Sequence, residues 1–121
     1  MSTTTLYRPV GQAELDLVAA AGWRGFPPRL FWQPIFYPVL TREYAAFIAR
    51  EWNVRDAASG FVGHVLAFDV RDDHLTGYDV QEAGGPDFRE YWIPAGELHA
   101  FNAAIVGLIR LVDSFGGAPE A

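Results

Sequence analysis

An α+β fold is predicted, on three observations. Two strand-then-helix pairs open the chain, a mostly antiparallel strand region cut by Gly, Pro and Asp turns follows, and 50% of the 121 residues are hydrophobic. That length fits one domain with one core. The domain is expected over residues 6–115, with residues 1–5 and 116–121 as flexible ends.

Each element has a local reason. "LYRPV" (6–10) reads as a short strand stopped by Pro9, which belongs at an edge or strand end. "GQAELDLVAAAG" (11–22) reads as a helix: Leu15, Val18 and Ala19 share a face, Glu14 favours the N-terminal dipole and Gly22 suits the C-terminal cap. Residues 23–34 hold three prolines and four aromatics, so an ordered loop is expected there. "IFYPVL" (35–40) reads as a strand broken by proline. "TREYAAFIAREW" (41–52) reads as a helix capped by Thr41, with an apolar stripe of Tyr44, Phe47, Ile48 and Trp52.

Beyond the polar turn at 53–60, "FVGHVLAFDV" (61–70) is strand-like, and 74–82 is expected to return antiparallel to it. "FREYWI" (88–93) alternates as a strand, and "PAGELHAFNAA" opens a short helix with proline near its first turn. In "IVGLIRLVDSF" (105–115) the spacing of Ile105, Leu108, Ile109 and Val112 fits a helix. The β-branched content and Gly107 fit a strand, which is the reading preferred.

Composition excludes several functions. The nine basic residues, all arginine, stand against 15 acidic ones, giving a formal net charge of −6 that disfavours general nucleic-acid binding. Cysteine is absent, which removes disulfides, thiolate metal sites and a cysteine nucleophile. Neither a signal peptide nor an 18-residue apolar run is present, so a cytoplasmic protein without membrane association is expected. His64, His74 and His99 lack metal-ligand spacing, and Asp69, Asp72, Asp73 and Asp79 do not match a calcium loop, so no metal is expected. No phosphate-loop motif and no nucleophile elbow occurs.

Two charged side chains remain. Arg8 lies mid-strand between Leu6 and Val10. On an edge strand it faces solvent; if it shares the inward face of Leu6 and Val10 it needs an anion, because an unpaired buried charge is costly. Glu90 shares a face with Phe88 and Trp92. It is either an exposed strand glutamate or a partly desolvated carboxylate that requires a cation or donor.

In order, "LYRPV" with its following helix, "FYPVLTREYAAFIA" and "EYWIPAG" resemble the short motifs of the ADP-ribosyltransferase-like fold. That fold has split antiparallel β-sheets with flanking short helices. Whole-chain similarity is to small bacterial proteins of unknown function that carry the label "ADP-ribosylation/crystallin J1". The chain is too short and too strand-rich for the helical, magnesium-dependent ADP-ribosylglycohydrolases that usually bear that name. Neither their activity nor their metal is carried over.

The resemblance implies binding of NAD, or another ADP-ribose-containing nucleotide, and transfer of ADP-ribose to an acceptor, for which a protein is one candidate. It implies Glu90 as the catalytic carboxylate that holds the ribose 2-hydroxyl. Tyr7-Arg8 then forms the opening motif, with Arg8 on the pyrophosphate or adenosine ribose. Tyr37, Tyr44 or Trp92 flanks the nicotinamide, and Thr41 is the one hydroxyl near the family's second motif. Phe88 stands where arginine-modifying members carry Gln or Glu, so arginine modification is not implied. A different class competes: a non-catalytic interaction module whose loop aromatics Trp23, Phe26, Phe31 and Trp32 bind a protein partner, unless they simply form the core.

Overall fold

The structure, a computed structural model, describes residues 2–116. Its centre is an antiparallel sheet in the order β1 (Thr3–Val10), β3 (Val62–Arg71), β7 (Ile105–Gly116). Strand alternation gives the sheet two apolar faces. Leu6, Val10, Leu66, Phe68, Val70 and Ile109 enter the larger core, together with Phe26, Phe36 and Phe101. Α1 (Gln12–Ala20) and α4 (Leu98–Ala103) cover that side. Val65, Tyr7 and Val112 face the other side, under α2 (Arg42–Glu51). Helices on both faces of a largely antiparallel sheet make this an α+β architecture. Among the described residues no helix is long and apolar enough to cross a membrane.

Several expectations are corrected. Residues 3–5 are paired, not frayed: Thr3 to Thr5 lie opposite Arg71 to Asp69, and the Thr5 hydroxyl donates to Asp69 at 2.6 Å. At the other end β7 continues to Gly116, and residues 117–121 lie outside the described residues. Residues 105–115 do form a strand, and Gly107, at φ +77°, occupies a bulge where the β3–β7 register shifts.

Residues 74–82 do not return along β3, because β1 and β7 already take both its edges. The chain instead turns through α3 (Asp72–Leu75), and β4 (Val80–Glu82) pairs with β5 (Arg89–Tyr91). In α1, Leu15 and Val18 are buried but Ala19 is exposed.

In α2 the expected stripe is rotated. Ala45 and Ala49 are the buried residues, while Phe47 and Trp52 are exposed. Gly63 is the cause. A Cβ there would lie 2.4 Å from the Ala49 carbonyl oxygen, so the missing side chain lets the helix backbone rest directly on β3. Only a small-residue face can be accommodated so close.

The loop over 23–34 is ordered. The Asn102 side chain clamps the Phe26 backbone, accepting from its N–H at 2.9 Å and donating to its carbonyl at 3.0 Å. Of the four loop aromatics, Phe26 is in the core and Trp23 packs against it. Phe31 and Trp32 are 94% and 62% exposed.

Residues 35–40 position the site. Ile35–Phe36 (β2) pair with Ile93–Pro94 (β6), and Val39 bridges Glu90 in the same register, so the whole stretch runs beside 89–94. Val39 also bridges Tyr7 on its other side. One residue therefore joins β1 to β5. Four backbone hydrogen bonds hold it: Tyr7 and Val39 exchange two at 2.9 and 2.8 Å, Leu40 donates to Arg89 at 3.0 Å, and Tyr91 donates to Pro38 at 2.9 Å.

Proline keeps this junction to a single rung. The next pair on the β1 side would need the N–H that Pro9 lacks, and the reciprocal bond on the β5 side would need that of Pro38. The Tyr37 carbonyl, left without a Pro9 donor, accepts weakly from Arg8 Nη1 at 3.4 Å. Beyond the rung the strands part.

Candidate functional site

A cleft of about 510 Å³ opens where the strands part, lined by Arg8, Pro9, Tyr37, Val39, Ile48, Asn53, Glu90 and Trp92. Glu90 projects from β5 and is only 8% exposed. Its two oxygens have separate donors: the Tyr44 hydroxyl to Oε2 at 3.0 Å and Trp92 Nε1–H to Oε1 at 2.9 Å. Trp92 shares the Glu90 face by strand alternation, and Tyr44 arrives from the first turn of α2. Burial, then the hydrogen bond to Glu90, pushes the Tyr44 phenol up to about 12, so it stays a neutral donor.

Tyr37 and Trp92 stand opposite each other in the register of 35–40 with 89–94, at 40% and 46% exposure, and form the aromatic rim. Phe88, also on the Glu90 face, packs instead against Tyr44 and Phe47, with ring centroids at 5.1 and 5.8 Å.

Arg8 takes the inward face, at 8% exposure, and its anion comes from within the chain. Glu14, from the first turn of α1, accepts Nε–H at 2.6 Å and Nη2–H at 2.9 Å, a two-pronged ion pair. The guanidinium also lies over the Phe36 ring, 4.5 Å from its centroid. The anion that an inward Arg8 needs is thus the Glu14 carboxylate. From sequence Glu14 serves only the helix dipole, and nothing in helical or strand periodicity links it to a residue six places earlier.

The other expected site residues divide. Arg8, Tyr37, Glu90 and Trp92 share the cleft, and Tyr44 contacts it through Glu90. Tyr7 packs in the smaller core beneath α2, and the Thr41 hydroxyl accepts the Tyr44 N–H at 3.1 Å as the helix cap. Neither lines the cleft. Asn53, in the 3-10 turn Asn53–Arg55 after α2, does line it and was not anticipated; a turn asparagine carries no distinguishing sequence signal.

No known protein family, curated protein or solved structure gives a significant match to this chain.

Proposed function

We propose that this cleft binds NAD or another ADP-ribose-containing ligand, in a domain of the ADP-ribosyltransferase-like kind. The observation that carries the reading is the convergence of Arg8, Tyr37, Glu90 and Trp92 on one cleft, from three separate stretches of sequence. Each Glu90 oxygen accepts one hydrogen bond and keeps a further lone pair for a ribose hydroxyl. Tyr44 and Trp92 fix the carboxylate in place, so little reorganisation accompanies charge development.

The supported chemistry is ribosyl transfer. The bond from ribose C1 to the nicotinamide nitrogen breaks, and its electron pair leaves with nicotinamide. The acceptor nucleophile bonds to C1 and releases its proton to solvent. Glu90 offsets the positive charge that C1 carries between these events. Tyr37 and Trp92 offer flat faces to the nicotinamide ring at the rim. Arg8 retains N–H groups beyond those held by Glu14 for a phosphate oxygen. Phe88 sits in an aromatic cluster and supplies no polar group two residues before Glu90, which speaks against arginine as acceptor.

Calorimetric titration of NAD and ADP-ribose into wild type and Glu90→Ala tests the reading. Binding by wild type and its loss in the variant are expected. No binding at millimolar ligand, with no nicotinamide release, would overturn it.

A second reading, a non-catalytic interaction module, is favoured by the exposed pair Phe31 and Trp32, whose rings meet edge-to-face at 4.7 Å. Capture of a partner by wild type but not by Trp32→Ala, without NAD binding, would decide for it.

A further inference from the structure

We propose that Arg29, beside Arg8, forms a phosphate-binding subsite that continues the Glu90 cleft. A second pocket, about 420 Å³, is lined by Arg8, Glu14, Arg29, Trp32, Gln33 and Asn53 among others, and shares Arg8, Pro9 and Asn53 with the cleft. Among the described residues, seven of the nine arginines are in ion pairs. The other two are Arg24, which is exposed, and Arg29, which is half-buried.

Arg29 Nε is shielded from solvent and has no hydrogen-bond partner. Its guanidinium lies 5.9 Å from the Phe36 centroid, on the ring that Arg8 also covers. Burial, and then the Arg8 charge, draws its pKa down, while Glu14 and Tyr37 oppose this. Asp56, another carboxylate of the pocket, accepts from Ala58 N–H and the Ser59 hydroxyl within its own turn.

Glu14 is taken up by Arg8, so among the described residues the second guanidinium, Arg29, has no carboxylate of its own, in a chain that is acidic overall. A carboxylate ligand is matched by a single guanidinium fork. A phosphate group, with two or more unbridged oxygens and at least one charge, can engage both arginines at once. That this phosphate belongs to the ligand of the Glu90 cleft rests on the reading above; the anion subsite itself does not.

Inorganic phosphate is titrated into the full chain by calorimetry, with thermal melts alongside. Wild type should bind and melt higher with phosphate. Arg29→Gln should bind at least about tenfold more weakly. Its phosphate-free melting temperature should match or exceed that of wild type, since no partner is stranded and repulsion from Arg8 is relieved. Arg29→Lys, which keeps the charge, should retain part of the binding.

Absence of phosphate binding by wild type, unchanged binding in Arg29→Gln, or a lower phosphate-free melting temperature in that variant would overturn the proposal. Phosphate binding that survives Glu90→Ala while ADP-ribose fails to bind wild type would leave the anion subsite standing and remove the nucleotide reading.

Discussion

Replacing Glu14 with alanine tests the electrostatic core of the site. The substitution strands Arg8, 8% exposed, beside the second cation Arg29. Removing one partner of a buried ion pair costs about 3–5 kcal/mol. Glu14 is more open than Arg8, with side chains 22% and 10% exposed respectively, so water can enter the vacated space and the lower end applies. The Phe36 face at 4.5 Å retains about 1 kcal/mol of cation–π attraction, which the nearby Arg29 partly cancels. The net expectation is a loss of about 3 kcal/mol, a large share of the roughly 5–15 kcal/mol that stabilises a domain. For a chain of this size that lowers the melting temperature by about 12 °C. Urea unfolding followed by tryptophan fluorescence, together with thermal melts, gives both quantities. The double variant Arg8→Met/Glu14→Leu should recover most of the loss, because an apolar pair strands no charge. A cost below about 1 kcal/mol, the value of an exposed pair, would refute the reasoning, as would a double variant no more stable than Glu14→Ala.

Other expectations concern titration and packing. Tyr44 is pushed up to about 12 against an unfolded value of 10.0, so the folded state holds the phenol proton longer; its contribution is present below pH 10 and lost as pH rises towards 12. Phenolate absorbance should show late titration that moves earlier, though not fully to 10.0, in Glu90→Gln, because burial is the first cause; Tyr44→Phe separates it from Tyr78, which burial and Glu97 also push up to about 12. Gly63→Ala drives a methyl into the Ala49 backbone and should cost at least about 2 kcal/mol in denaturant titrations, and a variant as stable as wild type would contradict the close helix–strand contact.

The sequence was most readable where one residue decides the local outcome. Thr41 marks the start of α2 because its hydroxyl meets an orphan helix N–H, and Gly22, at φ +74°, follows α1 in the left-handed conformation that glycine tolerates. The shared face of Glu90 and Trp92 is legible from strand alternation, whereas alternation leaves the face of Arg8 open between solvent and core until the packing of β1 decides it. Contacts between elements were not. The apolar moment of α2 points to Phe47 and Trp52, yet the buried face is chosen by a glycine on another strand. The partner of β4 depended on which edges of β3 were already occupied. The resemblance implies Tyr44 as a ring that can flank a ligand, whereas its hydroxyl anchors Glu90 across a long stretch of chain.

The single rung at Val39 also bears on how the molecule assembles. Both its partners, Tyr7 and Glu90, are distant in sequence, so forming the rung closes two long loops for four hydrogen bonds. No longer ladder along β1 offsets that entropy, since Pro9 stops pairing there, and on the other side only the short pairing of Ile35–Phe36 with Ile93–Pro94 adds to it. The β1–β3–β7 sheet gains far more pairing per loop closed and has reason to form first, with the 35–40 segment docking late. On this view the cleft is among the last features to appear during folding, and a chain caught just before completion would hold a nearly finished sheet but no site.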